Sequence, residues 1–154
     1  MKELLIKQIN FEHWANSTLL VTMKEANPLD DRALLLFSHL LSSSCMWLSR
    51  LKATPFTTTI FQERTLAECE ELMHQNTNGW LAYLQQADDK ELSRIVDYIF
   101  PIDGSNKRMA VSDAVMHVVH HSSYHRGQII TRLKGSVEKL PLVTYIVYAS
   151  ENVD

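Results

Sequence analysis

Several common sequence signals are missing from this chain of 154 residues. Its two cysteines, Cys45 and Cys69, do not form a CxxC pair, so we expect reduced, packed thiols and not a disulfide framework. The formal net charge is −3, and no run of lysine and arginine provides the positive patch that binds nucleic acid. Internal repeats and low-complexity linkers are also lacking. We therefore expect one domain over residues 1–154 and no nucleic-acid partner.

The N-terminal segment has no long apolar run. Its first twenty residues, MKELLIKQINFEHWANSTLL, mix Lys, Glu, Gln and His among the apolar positions. Such a segment is neither a signal peptide nor a membrane span. The apolar fraction of 45% is ordinary for a globular protein. We expect a soluble, cytoplasmic protein without a membrane partner.

Four long segments place apolar residues at a helical spacing. The predicted helices cover approximately Lys2–Ala26, Asp30–Ala53, Thr65–Ala87, and Ser112 or Asp113 to just before Gly135, the predicted C′ residue. Prolines follow the first two segments, and Thr65 with Glu68 forms a capping-box pair at the start of the third. The pattern predicts an all-α, up-and-down four-helix bundle.

Two shorter segments accompany the helices. Before the fourth helix, the β-favouring residues 95–100 precede the turn signal of residues 103–106, which predicts a short hairpin. Pro101 would place this hairpin at a sheet edge. The tail LPLVTYIVYASENVD is apolar and too short to be a domain, so we expect it to pack across the bundle.

Four of the seven histidines lie within the nine residues HVVHHSSYH, positions 117–125. On a helix His117, His121 and His125 form one stripe, and His120 is turned away from it. Neighbours in the stripe are about 6 Å apart and can bind one ion, whereas His117 and His125 are about 12 Å apart and cannot. A third ligand must therefore come from another helix.

The same stripe has a second interpretation. Pairs of histidines four residues apart arise easily by chance, and hydroxyls such as those of Ser122 and Ser123 can satisfy packed histidines. The pair is not a zinc-protease signature either, because Ser122 follows His121 where such enzymes have a glutamate base. On spacing alone, metal binding and packing remain equal alternatives.

The segment HVVHHSSYHRGQI resembles the motif HVVNHxxYHRGQI of the DinB-like metalloprotein superfamily, which is related to the metal-dependent bacillithiol and mycothiol S-transferases. FEHWANSTLL and SHLLSSSCMWLSRL resemble the first and second helices of that family, so the likeness covers nearly the whole chain. It implies a four-helix bundle with one divalent metal ion, zinc or nickel. The implied ligands are His39, His121 and His125.

The resemblance also implies roles for the neighbouring residues. His117 becomes a supporting or packing residue one turn from the ligands. For Tyr124 we expect a partly buried packing role, with a hydroxyl near the cavity as the alternative. His120 replaces the family's usual Asn and is expected at the surface or at a dimer interface.

Three further positions have weaker expectations. His13 lies in Phe11-Glu12-His13, where Tyr-Asn-x is usual, and we expect it to face solvent and not to bind metal. Arg126 and Gln128 are expected to point away from the metal face and to anchor neighbouring segments. His74 has no predicted role.

By resemblance, the expected function is a metal-dependent thiol S-transferase in stress or detoxification. The metal would make the thiolate of a low-molecular-weight thiol available for attack on a small electrophile. A non-catalytic metal-binding stress protein is the alternative. We also expect a homodimer, because the second helix is apolar around most of its circumference and exposed apolar stripes mark interfaces.

Overall fold

The computed structural model describes residues 1–151 of the protein, and this part is mostly helical. Its helices are α1 (Lys2–Glu25), α2 (Asp31–Leu51), α3 (Leu66–Gln86), α4 (Asp89–Ser93), α5 (Val111–Arg132) and α6 (Tyr145–Ala149), and its strands are β1 (Ile95–Ile99) and β2 (Asn106–Ala110). The four predicted helices correspond to α1, α2, α3 and α5. The paired strands form the predicted hairpin between the third and fourth long helices, whereas the short helices α4 and α6 are additions to the predicted bundle.

Local side chains define several helix ends. The Asp30 carboxylate accepts a hydrogen bond of 2.7 Å from the backbone N–H of Ala33 and starts α2. Thr65 and Glu68 form the predicted capping box at the start of α3. Gly135 has a φ of +91° and lies two residues after the C-cap Leu133 of α5. It therefore occupies the C″ position and not the predicted C′ position. Glycine suits this left-handed backbone because it has no Cβ.

The four long helices form a closed ring in which α1 and α2 each contact both α3 and α5. The Leu41 carbonyl accepts from the Asn76 amide and the Ser44 hydroxyl accepts from the Trp80 indole, each at 2.9 Å, so α2 and α3 run in the same direction. The predicted up-and-down order is therefore wrong for this pair. The intervening segment 52–65 is long enough, at about 3.3 Å per extended residue, to lead the chain back along the whole of α2.

The core consists of two apolar clusters with buried polar residues between them. One cluster includes Trp47, Trp80 and Val115, and the other includes Phe37 and Ile129. All four long helices contribute buried polar residues at the level between the clusters: Glu12, Asn16, Ser42, Ser43, Ser44, Asn76, Ser122 and Arg126. Buried polar groups of this kind require hydrogen-bond partners.

Arg126 is the centre of this polar layer and is only 1% exposed. Its guanidinium donates to the Glu12 carboxylate at 2.7 Å, to the Asn16 amide oxygen at 2.8 Å and to the Ser123 hydroxyl at 2.8 Å. These bonds tie α5 to α1. The prediction that Arg126 anchors a neighbouring segment is confirmed, and the segment is the first helix.

The hairpin and the tail lie where the sequence predicts them. Strands β1 and β2 pair in antiparallel fashion from Ile95 opposite Ala110 to Ile99 opposite Asn106. In the tail, α6 packs across the bundle, with its Tyr145 ring 5.2 Å from that of Phe11 on α1.

The apolar circumference of α2 is covered within one chain. Its large apolar side chains are all buried or half-buried, while exposed ones such as Leu4, Leu142 and Ile146 belong to α1 and the tail. The reason given for a homodimer is therefore wrong, although the dimer itself stays a prediction. Within residues 1–151 no helix is both long and apolar enough to span a bilayer.

Candidate metal centre

Three histidines converge between α2 and α5. His39 on α2 is buried, with 6% exposure, and His121 and His125 on α5 are half-buried. One ring nitrogen from each lies within 4.8 Å of the other two. The structure thus brings together the three predicted ligands, and this three-histidine group could hold a metal ion.

The spacing of two of these nitrogens suits a shared ion. The Nε2 atoms of His121 and His125 are 3.2 Å apart. Two nitrogens that each lie about 2.0 to 2.1 Å from one tetrahedral zinc ion are about 3.3 Å from each other. The pair on α5 therefore has the separation that a common divalent ion requires.

Hydrogen bonds select the ring tautomer of two of the histidines. The Nδ1 of His39 lies 3.2 Å from the Ile60 carbonyl oxygen, and that of His125 lies 2.8 Å from Gln128 Oε1. Since an amide oxygen only accepts, both Nδ1 atoms must donate, which leaves each Nε2 with a free lone pair. Partners of this kind orient metal-binding histidines. The expectation that Gln128 points away from the site is wrong, because it lies one turn beyond His125 and bonds its ring.

His121 differs from the other two because its buried Nδ1 has no hydrogen-bond partner among the described residues. Burial, followed by the neighbouring rings of His125 and His39, lowers the pKa of His121 to about 3. Burial also lowers the pKa of His39. Both rings are therefore neutral near pH 7, the state that a metal ligand needs. Two oriented imidazoles whose Nε2 atoms have free lone pairs, together with His121 Nε2 at 3.2 Å from that of His125, fit a divalent ion.

The segment 52–65 covers one side of the three-histidine group. The Phe61 ring stacks on His39 with centroids 4.1 Å apart and planes 5° apart, and it remains 51% exposed. The guanidinium of Arg32 lies 5.8 Å from the centroid of Phe61. Sequence reasoning missed Ile60 and Phe61 because this segment has no periodic pattern that would assign it a position.

The predicted supporting residues lie around the group but outside it. The exposed His117 has its ring 5.6 Å from that of His121 and 5.4 Å from that of Trp47. Tyr124 is 65% exposed, so the expected partly buried packing role is wrong, and its ring lies 5.2 Å from that of His125. His120 is at the surface, as expected.

His13 and His74 belong to a different part of the molecule, the α1–α3 contact. The Nδ1 of His13 is 3.1 Å from the Thr77 hydroxyl, and its ring centroid is 5.5 Å from that of His74. His13 is half-buried, so the expectation of a solvent-facing ring is wrong, whereas His74 is exposed. Neither belongs to the three-histidine group.

The charged groups that act on the histidine stripe are themselves cationic. The pKa values of His39 and His117 are lowered mainly by partial desolvation of their rings and additionally by nearby histidines, by Arg32 for His39 and by Arg50 for His117. No carboxylate contributes to either shift. A cavity of about 660 Å³ beside Arg32 and Arg64 has a lining that does not include the three histidines. The candidate site is therefore identified by the geometry of the histidines and not by a cavity.

A mostly helical fold with three converging imidazoles defines a candidate divalent-metal-binding protein. The model of the DinB family matches residues 5–149. The chain therefore belongs to the DinB family, which confirms the family resemblance of HVVHHSSYHRGQI. Comparisons with curated proteins and with solved structures found no match.

Replacing a member of the three-histidine group should remove the metal. We expect His39→Ala, His121→Ala and His125→Ala each to lower the metal content sharply, because two imidazoles alone hold a divalent ion weakly. His117→Ala should retain the metal, since its ring lies outside the group. Elemental analysis of protein purified without a histidine tag or a nickel column measures this.

The outcome that contradicts the assignment is an equal loss of metal from His117→Ala and His125→Ala.

Gln128→Leu provides a graded variant, because it removes the acceptor for His125 Nδ1 and leaves all three rings in place. We expect it to weaken metal affinity by about 10- to 100-fold, as measured by competition with a chromophoric chelator.

Acid should destabilise the metal-free protein through His121. Its pKa is about 3 in the folded protein, against an ordinary value of 6.5, so between these pH values only the unfolded chain binds the proton. This contribution to the free energy of unfolding is fully present above pH 6.5 and is lost as the pH falls towards about 3. Urea denaturation with a chelator at about pH 7 and about pH 5 should show a smaller loss for His121→Leu than for wild type.

Asn78→Leu is the matched control for this measurement because Asn78 is exposed on α3 and has no titratable group. It should keep the pH dependence of the wild type. If His121→Leu and wild type lose the same stability between the two pH values, His121 does not cause the loss.

Proposed function

We propose that this DinB-family protein binds one divalent ion, zinc or nickel, through His39, His121 and His125. We further propose that it acts as a metal-dependent thiol S-transferase in stress or detoxification. The observation that supports the proposal best is the convergence of three imidazoles, one ring nitrogen of each lying within 4.8 Å of the other two.

Two features of the three-histidine group support a catalytic role for the ion and not only its storage. Catalytic zinc sites commonly have three protein ligands and keep one position for water or substrate. His121 and His125 are half-buried, so a small molecule can reach that position from solvent. By contrast, closed structural sites use four protein ligands.

The proposed reaction joins a low-molecular-weight thiol to a small electrophile. The thiol sulfur forms a bond to an electrophilic carbon, the leaving group departs with its bonding electron pair, and the thiol proton passes to solvent. A bound divalent ion would supply the positive charge that lowers the pKa of the thiol towards neutrality. The three histidines would hold the ion in position. Apart from the exposed Asp113, the α5 motif has no carboxylate that could act as a separate base.

Conjugation of a thiol to a model electrophile tests the activity. Zinc- or nickel-loaded protein, incubated with bacillithiol or cysteine and 1-chloro-2,4-dinitrobenzene, should form the conjugate faster than the uncatalysed reaction. Chelation or His125→Ala should abolish this excess rate, which absorbance of the conjugate measures. His74→Ala should keep it because that residue is exposed on α3, outside the site.

The alternative function is a non-catalytic metal-binding stress protein. Stoichiometric metal that depends on His39, His121 and His125, together with no conjugation above background for any thiol and electrophile pair, would favour this alternative. A cytoplasmic location belongs to both versions of the proposal and is supported by the two free cysteines.

A homodimer is a further part of the proposal. Its support is the group of exposed apolar side chains in the tail, Leu142, Ile146 and Val147, which a second copy would cover. Light scattering at micromolar concentration should give a mass twice the 17.7 kDa of one chain. A mass of one chain would contradict the dimer and leave the metal proposal unaffected.

A further inference from the structure

Arg50 is a cation on α2 whose side-chain N–H donors meet no oxygen of residues 1–151. Its Cζ atom lies 4.4 Å from the ring centroid of Trp47 and 5.5 Å from that of Tyr98, and these two rings contact each other with centroids 5.1 Å apart, so the guanidinium lies against both rings on one side of the pair. Among residues 1–151 its hydrogen bonds include only one weak contact, 3.9 Å to the sulfur of Met46. The residue is half-buried.

The carboxylates on the neighbouring elements β1 and α5 do not neutralise Arg50. Asp97, beside Tyr98 on β1, pairs with Arg108 at 3.5 Å across the hairpin. Asp113, one turn before His117 on α5, is exposed and forms no ion pair with Arg50 within the described part of the chain. The donors of Arg50 are therefore available to a group from outside the protein.

Arg50 is connected to the three-histidine group by two ring contacts. The Trp47 ring lies 5.4 Å from the His117 ring, which lies 5.6 Å from the ring of His121. The contact with Met46 shows that the guanidinium reaches back along α2 towards the histidines. The guanidinium of Arg50 lies about two helical turns, roughly 11 Å, from the three-histidine group along the bundle axis. His117 between the two is exposed, so this path is open to solvent.

We propose that Arg50, held against the rings of Trp47 and Tyr98, binds a carboxylate of the small molecule whose other end reacts at the three-histidine group. The inference rests on the proposed function and adds the chemical class of the ligand, a thiol or electrophile that has an acidic group at a distance of several bonds from the reacting atom.

The chemistry of arginine supports a carboxylate as the ligand group. A guanidinium has five N–H donors in a plane and binds a carboxylate through two parallel hydrogen bonds. Stacking on aromatic rings leaves the edge of the guanidinium, where these donors lie, free to make such bonds. The same aromatic rings reduce the conformational freedom that Arg50 would otherwise lose on binding.

Electrostatics favour the same ligand class. Two arginines lie beside the histidines: Arg50 next to Trp47, whose ring contacts that of His117, and Arg32, whose guanidinium lies 5.8 Å from the Phe61 ring that stacks on His39. A divalent ion would add further positive charge. An anionic ligand therefore gains both from long-range attraction and from direct pairing with Arg50.

Thiols that differ only in their distant end test the proposal. Cobalt-loaded full-length protein is titrated with 6-mercaptohexanoate and with 6-mercapto-1-hexanol, and visible absorption of the cobalt reports thiol binding. Wild type should prefer the acid by about tenfold, as expected for a charge-assisted hydrogen bond. Arg50→Gln should bind both thiols as weakly as wild type binds the alcohol, whereas Arg50→Lys should keep part of the preference.

Arg132→Gln is the matched control, because Arg132 pairs with Asp30 at the other end of the bundle, and it should keep the full preference. A tenfold preference that survives in Arg50→Gln, or no preference in wild type, would overturn the proposal. Intact cobalt content and melting temperature in Arg50→Gln show that the variant is folded.

A titration without thiol separates this proposal from the proposed function. Hexanoate and hexanamide are titrated into zinc-loaded protein, and tryptophan fluorescence, to which Trp47 contributes, reports binding. Stronger binding of hexanoate that is lost in Arg50→Gln supports the carboxylate site even if no thiol changes the cobalt spectrum. Equal or absent binding of hexanoate in wild type and Arg50→Gln contradicts the site, whatever the thiols do.

Discussion

The ion pair between Arg126 and Glu12 holds α5 in one rotation about its own axis. Arg126 follows His125 directly, and successive residues on a helix are turned by about 100°. With Arg126 directed to α1, His125 and His121 are turned towards α2, where His39 lies. Loss of one buried partner would leave the other charge uncompensated, at a cost of about 3 to 5 kcal/mol. The three-histidine group therefore depends on a contact in which none of its members takes part.

The polar layer around Arg126 also fixes how far each helix is shifted along the bundle. Asn76 bonds the Leu41 carbonyl and Trp80 bonds Ser44, so α3 has one favourable position against α2. A shift by one turn would separate these buried groups from their partners, and an unpaired buried polar group costs about 1 to 3 kcal/mol. Apolar side chains alone would discriminate less between such positions. The layer thus sets the alignment on which the ligand geometry depends.

Periodic features of the sequence were sufficient to predict the helices and the histidine stripe, since both follow from the repeat of the helix. The parallel course of α2 and α3 could not be predicted, because it depends on the path of the aperiodic segment 52–65. The contact between Gln128 and His125 was missed because helical spacing gives the direction of the Gln128 side chain but not the atom that it bonds. Glu12 was missed as well, since its partner Arg126 is more than a hundred residues away in sequence.

His39 and His125 differ in how sensitive their orientation is to substitution of the residue that supplies the hydrogen-bond acceptor. His39 is oriented by the main-chain carbonyl of residue 60, which every amino acid possesses, so the side chain at that position can drift without removing the acceptor. His125 is oriented by the side chain of Gln128, and a single codon change there removes its acceptor. Natural variation should therefore be constrained at position 128 and permissive at position 60, although both serve the same kind of bond.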